Sequence, residues 1–249
     1  MKTVNIKQKL VEMGVDLNAI IMGDFDYIGE FTAKRNRKPD DPNYKKYGAF
    51  YRSNYERGIL IYHLIRQYGL TSFLEIGFGR GYSTFCAARA FYDAGIIGKI
   101  TTIDPELNEN YIKALRSVFP EDWFKNIEFV KATSQAALPQ SHQNYDLVYI
   151  DGDHSYIGTK YDWEHTKDKF NKFLLFDDYH LPTKDDPGIQ CSQLINEIDE
   201  TKENCLEKEL IILDRRLFFD DRNLADDQID YGQVLLTKST IKRNERDDW

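Results

Sequence analysis

Cysteine is scarce in this chain of 249 residues, and Cys86, Cys191 and Cys205 stand far apart. An odd, dispersed set excludes a disulfide framework and a thiolate zinc site, and makes a reducing cytoplasm the expected compartment. Long apolar runs are also missing. Ala19–Met22 and Phe173–Phe176 are typical of the longest, far short of the ~20 residues that cross a bilayer. The opening MKTVNIKQKLVEMGVD has no apolar stretch before a small-residue cleavage site, so no secretory leader is expected. Glycine and proline, 15 and 7 residues, are too few for a collagen-like or low-complexity chain. Positive charge is the scarcer sign, with 33 Lys and Arg against 41 Asp and Glu. The resulting net charge of −8 disfavours a nucleic-acid coat, which needs phosphate-neutralising cations. What is plentiful is core material: 41% of residues are hydrophobic and 14% aromatic.

The organisation changes near residue 58. Residues 1–58 do not alternate between strand and helix; a short helix near Ile6 to Met13 is followed by an acidic-aromatic patch, GDFDYIGEF, and a basic, tyrosine-rich segment. Between 34 and 66 nine Lys and Arg face only Asp40, Asp41 and Glu56. This stretch is either a solvated connector or a lid in which Tyr44, Tyr47, Phe50, Tyr51, Arg52 and Tyr55 cover a pocket. From residue 59 short apolar strands alternate with helical patterns: SFLEIGFG, KITTIDPE, IEFVKAT, YDLVYIDGD and KFLLFDDYH are strands, all but IEFVKAT followed by a helix, and two late strands close the series. Near-continuous apolar strands separated by helices imply a doubly wound α/β sheet. The expected division is a cap over 1–58, a main domain over 59–240 and a charged tail over 241–249.

Ligands of such sheets bind at the carboxyl ends of the strands. The first strand-to-helix turn reads Glu75-Ile-Gly77-Phe-Gly79-Arg-Gly81-Tyr-Ser83. Glycines permit positive φ and close backbone approach, and the following helix N-terminus favours an anionic group. A dinucleotide fingerprint needs glycine at 82, where this chain has tyrosine. The second strand ends in Asp104, suited to a ribose diol. Together these point to a nucleoside ligand.

Three further carboxylates end strands: Asp151, with His154 three residues on, and the pair Asp177-Asp178. Neighbouring parallel strands lie about 4.8 Å apart, so these acids can converge. Clustered carboxylates repel unless they share a cation, and all-oxygen donors suit Mg²⁺, Mn²⁺ or Ca²⁺. Singly, each could equally cap a helix or face solvent.

The run E-x-G-x-G-x-G-x-S, followed by a strand ending T-x-D-P, resembles class I S-adenosylmethionine-dependent methyltransferases. The strings DLVYIDGDHSY and FDDYH are similar to small-molecule O-methyltransferases of the methyltransferase 24 type, related to metal-dependent sugar and catechol O-methyltransferases. The likeness covers residues 58–182. It implies a Rossmann-like, seven-stranded sheet, mostly parallel with an antiparallel C-terminal strand. It also implies that Gly77, Gly79, Gly81 and Ser83 line the methionine end of S-adenosyl-L-methionine, Glu75 its amino group, Asp104 its ribose, and Thr133 and Ser134 its adenine. Asp151 would border the cofactor and, with Asp177 and Asp178, hold a divalent cation, most simply Mg²⁺. His154 would be the general base and His180 its reserve. The family's usual Gly-Gly before the fifth strand is replaced by Phe170-Asn171-Lys172-Phe173, read here as a loop.

The expected partner is a small hydroxylated acceptor, such as a sugar or natural-product diol, with nucleic acid and membrane disfavoured and a homo-oligomer possible. The competing expectations are a metal-independent N- or O-methyltransferase of the same fold, a nicotinamide-dependent oxidoreductase, and a non-catalytic module that retains the pocket.

Overall fold

A computed structural model describes residues 1–32, 55–180, 190–199, 206–213 and 231–238. The tyrosines and arginine of the expected lid between 44 and 52, and the charged tail, lie outside these residues. In chain order the elements are β1 (Lys2–Asn5), α1 (Ile6–Glu12), α2 (Met22–Thr32), α3 (Tyr55–Tyr68), β2 (Ser72–Ile76), α4 (Tyr82–Asp93), β3 (Lys99–Ile103), α5 (Glu109–Arg116), α6 (Glu121–Phe124), β4 (Ile127–Val130), α7 (Ser134–Ala137), β5 (Tyr145–Ile150), α8 (Tyr156–Thr166), β6 (Phe170–His180), α9 (Cys191–Glu197), β7 (Leu206–Ile212) and β8 (Tyr231–Lys238).

The strands form one sheet in the order β1-β7-β8-β6-β5-β2-β3-β4. Among the described residues only β8 runs antiparallel, paired on both sides by β6 and β7. The expected mostly parallel sheet with an antiparallel C-terminal strand is therefore present, but the described residues give it eight strands rather than seven. The additional strand is β1, which pairs in parallel with β7 through Lys2↔Glu209 to Asn5↔Ile212. Its four residues carry one buried position, Val4, too short a run for an apolar period to show. Two local readings also change. The acidic-aromatic patch is helix α2, with Phe25 and Ile28 in the core. Phe170–Phe173 is not a loop but the start of β6.

Alternation along the strands divides the core in two. Phe73 of β2, Leu147 and Tyr149 of β5, and Phe173 and Leu175 of β6 face α1 to α6. Leu74, Ile76, Val148, Ile150, Leu174 and Phe176 face α8 and α9. Period-2 strands buried on both faces are what parallel sheets require.

The register positions the site. Ile76 of β2 pairs with Ile103 of β3 and Ile150 of β5, and Ile150 pairs with Phe176 of β6. The residues that follow those four are Gly77, Asp104, Asp151 and Asp177. A single row across the sheet's carboxyl edge thus carries the glycine turn and three aspartates, on either side of the β2/β5 boundary where strand order reverses.

Candidate active site

The glycine turn is tied directly to its neighbours. Gly77 donates its N–H to Ile103 at 2.9 Å, and Asp151 donates to Ile76 at 2.9 Å. Gly77 has φ +97°, and a Cβ there would lie 2.0 Å from the Asp151 carbonyl oxygen. Gly81, at φ +85°, caps α4, and a Cβ would strike the Phe78 ring at 2.5 Å. These two positions accept only glycine for different reasons: close strand approach at 77 and turn packing at 81.

Asp104 accepts from the Gly79 N–H at 2.9 Å and from Glu106 at 2.7 Å, which fixes its carboxylate beside the turn. Thr133 caps α7 by accepting from Ala136, so Thr133 and Ser134 sit at the start of that helix. Glu75 lies beneath the turn, 1% exposed, and accepts hydrogen bonds from Thr84 and from Thr102, the latter at 2.8 Å. Burial pushes its carboxyl up to about 8, against the two hydroxyls that favour the ionised form.

The acid cluster is assembled by a break in β6. Pairing with β8 shifts register between Phe176 and Tyr179, and Asp178 there has φ +51°. The break lets adjacent residues reach one point. Arg57, in the first turn of α3, places Nη1 3.0 Å from Asp151 Oδ2 and Nη2 2.6 Å from Asp177 Oδ2 and 4.0 Å from Asp178 Oδ1. Gln233 of β8 donates to Asp177 Oδ1 at 3.1 Å, and Tyr149 donates to Asp151 Oδ2 at 3.3 Å.

His154 bridges the cluster's outer side. Its Nε2 lies 3.3 Å from Asp151 Oδ1 and its Nδ1 3.0 Å from Asp178 Oδ2. The hydrogen bond with Asp151 holds the imidazolium well above the ordinary histidine range, at about 9. Burial and the Asp177 charge push the Asp151 carboxyl upward in turn. The pair titrates as a unit. Donor atoms of Asp151, His154 and Asp178 all lie within 4.8 Å of one another.

One cavity of about 650 Å³ joins both groups. Gly77, Gly79, Ser83, Asp104, Thr133 and Ser134 line it, and so do Arg57, Asp151, His154 and Asp178. Glu75, Gly81 and Asp177 stand behind that lining. His180 ends β6 opposite Tyr231, and only its backbone is among the described residues. Asp153 accepts from the Ser155 N–H at 2.9 Å and serves the turn before α8, as its position suggests. Sequence reasoning counted Arg57 only within a basic stretch and passed over Gln233 and Tyr149. The signal for Arg57 was available in the demand of three acids for a cation.

Residues 74–179 match the family model described as "Methyltransferase domain". No curated protein matches the chain. Among solved structures, a putative O-methyltransferase from Klebsiella pneumoniae is 15% identical, with TM-score 0.57 over 86% of this chain and 89% of that one. The Streptomyces achromogenes O-methyltransferase TomG, involved in tomaymycin synthesis and solved with S-adenosylmethionine, is 17% identical, with TM-score 0.56 over 86% and 90%. An O-methyltransferase from Bacillus cereus, in complex with S-adenosylhomocysteine, is 16% identical, with TM-score 0.56 over 93% and 96%. Such distant likeness establishes the shared fold, and the family match falls on the strands and turns that build the cavity. Residues 74–179 thus carry a methyltransferase-domain match, and the described residues share the fold of these O-methyltransferases.

Proposed function

We propose that the enzyme transfers the methyl group of S-adenosylmethionine to a hydroxyl oxygen of a small hydroxylated acceptor, such as a sugar or natural-product diol, with His154 removing the proton. The observation that carries this reading is the shared cavity, with a nucleoside-type wall at one side and His154 between two carboxylates at the other. The O-methyltransferases of the same fold support it.

In this reading Asp104 binds the ribose hydroxyls, and Thr133 and Ser134 border the adenine. The turn from Gly77 to Gly81, with Ser83, receives the methionine end, and buried Glu75, whose carboxyl is held up to about 8 in the free protein, ionises against the cofactor's ammonium. To act as the base, neutral His154 gives up one of its two carboxylate contacts, keeps its N–H on the other and turns the released nitrogen to the acceptor hydroxyl. As the proton passes to that nitrogen, the oxygen attacks the methyl carbon in line. The carbon–sulfur bond breaks, and S-adenosylhomocysteine leaves as a neutral thioether. Alignment of oxygen, carbon and sulfur by the cavity lowers the barrier without further covalent chemistry. His180 is the alternative proton acceptor.

The divalent cation expected at Asp151, Asp177 and Asp178 does not fit the residues present, because their oxygens already face Arg57, His154 and Gln233. No step is routed through a metal. A cytoplasmic site of action is in keeping with Cys86 and Cys191, both buried and free.

The test is transfer of labelled methyl from S-adenosylmethionine across a panel of sugars, phenols and diols, with calorimetry for S-adenosylhomocysteine. We expect binding of the product cofactor, and a loss of about 10²–10⁴ in kcat for His154→Ala with that binding intact. Tight NADH binding without S-adenosylhomocysteine binding, or methyl transfer to nitrogen alone, overturns the reading.

A further inference from the structure

Three carboxylates that meet at one point need a counter-charge, and a side chain supplies it here. Asp151, Asp177 and Asp178 each face the Arg57 guanidinium, at 3.0, 2.6 and 4.0 Å. Their remaining oxygens face His154 and Gln233: Asp151 Oδ1 and Asp178 Oδ2 lie 3.3 and 3.0 Å from the imidazole, and Asp177 Oδ1 lies 3.1 Å from the amide. Five of the six carboxylate oxygens of the cluster thus lie within 3.3 Å of a protein nitrogen, and the sixth, Asp178 Oδ1, lies 4.0 Å from the guanidinium.

A guanidinium is planar, permanently charged and able to span two carboxylates with separate N–H groups. A hard divalent ion needs several oxygens within about 2.0–2.6 Å of its own centre. An ion drawing on Asp151 Oδ2 and Asp177 Oδ2 would have to compete with the guanidinium that both oxygens already face. The guanidinium also has the advantage of enclosure. The side chains of Arg57 and Asp177 are only 17% and 1% exposed, and separating a buried pair leaves an uncompensated charge.

We propose that Arg57 is the resident cation of this cluster, so that the enzyme works without a divalent ion at Asp151, Asp177 and Asp178. Arg57 is then a positioning residue: it fixes Asp151, which orients His154. This inference rests on the methyl-transfer reading of the cavity. It also bears on the acceptor. A metal commonly grips a substrate through two oxygens, whereas a guanidinium already engaged by carboxylates leaves a single hydroxyl to be recognised through His154. A vicinal diol is therefore not required.

The experiment uses the full chain, stripped with EDTA, and follows Mn²⁺ binding by electron paramagnetic resonance with S-adenosylhomocysteine present. Wild type is expected to show no saturable Mn²⁺ binding up to about 1 mM, and unchanged turnover in EDTA on acceptors with and without a second adjacent hydroxyl. Arg57→Met should gain Mn²⁺ binding and lose the alkaline-side pH dependence of turnover, and Arg57→Lys should restore part of that pH profile. Stoichiometric Mn²⁺ binding by wild type that Asp178→Asn abolishes overturns the proposal. So does turnover lost in EDTA and recovered with Mg²⁺, or an Arg57→Met protein that binds no more Mn²⁺ than wild type. If Arg57→Met fails to fold, the wild-type arms decide. Failure of wild type to bind S-adenosylhomocysteine would instead refute the methyl-transfer reading, and Mn²⁺ binding would still report on Arg57.

Discussion

Glu75 and His154 both hold a proton past its usual pH, for opposite reasons. Burial disfavours the charged form of Glu75, whereas carboxylates favour the charged form of His154. For Glu75 the folded state binds the proton more tightly than the unfolded state. The associated stability is present below the ordinary carboxylate range and is lost as pH rises through about 8. Glu75→Gln removes this dependence. At pH 9 the variant should be more stable than wild type by on the order of 1–3 kcal/mol, with little difference at pH 5, by urea denaturation of the cofactor-free protein. In the role proposed for Glu75, the same variant should bind S-adenosylmethionine more weakly, most of all above about pH 8, where the wild-type carboxyl is ionised before binding.

His154 has a raised pKa in the folded state, so its contribution to stability is present below the ordinary histidine range and lost as pH rises through about 9. Catalysis runs the other way. A base must be deprotonated, so kcat/KM should climb with pH toward a limb near 9. Asp151→Asn removes the largest cause of the shift and should move that limb toward the ordinary histidine value. A limb that stays in place in Asp151→Asn would assign the base elsewhere, His180 being the first candidate.

Among the elements, the turn after β2 is the least tolerant. Gly77→Ala places a methyl 2.0 Å from the Asp151 carbonyl, at φ +97°. The ends of β2 and β5 would have to separate. We expect a loss of about 2–4 kcal/mol in stability and loss of S-adenosylhomocysteine binding by calorimetry. The parallel strands β2, β3, β5 and β6 were legible because each holds a short apolar run followed by a glycine or an acid. β1 was not, since its stabilising partner is β7, some two hundred residues away, and one buried valine gives no period. The site divides in the same way. Strand-end residues such as Asp104 and Asp151 can be found from strand ends alone. Arg57 and Gln233 arrive from other elements, and the β6 break that turns Asp178 toward them depends on pairing with β8.

At the scale of the molecule, β1 ties the N-terminal residues to the far edge of the sheet. Val4 is 3% exposed there, and Lys9 and Lys2 pair with Glu209 of β7. Val4→Asp would bury an unpaired carboxylate at this junction. It should lower the melting temperature by several degrees while leaving S-adenosylhomocysteine affinity in the folded protein unchanged, because the cavity lies across the sheet. The net charge of −8 also acquires a different meaning at this scale. Much of what matters for chemistry is negative charge already matched: Asp151, Asp177 and Asp178 against Arg57 and His154, in a protein whose overall acidity says nothing of that balance.

Arg57 and Gln233 both fall outside residues 74–179, the stretch that carries the methyltransferase-domain match. The carboxylates and the groups that hold them therefore belong to separable pieces of chain. Transplanting the matched stretch into another scaffold would carry over three clustered acids without their counter-ion, and the graft would recruit whatever cation its new surroundings offer. Ion dependence would then be rewritten by exchanging a helix, with no acid altered.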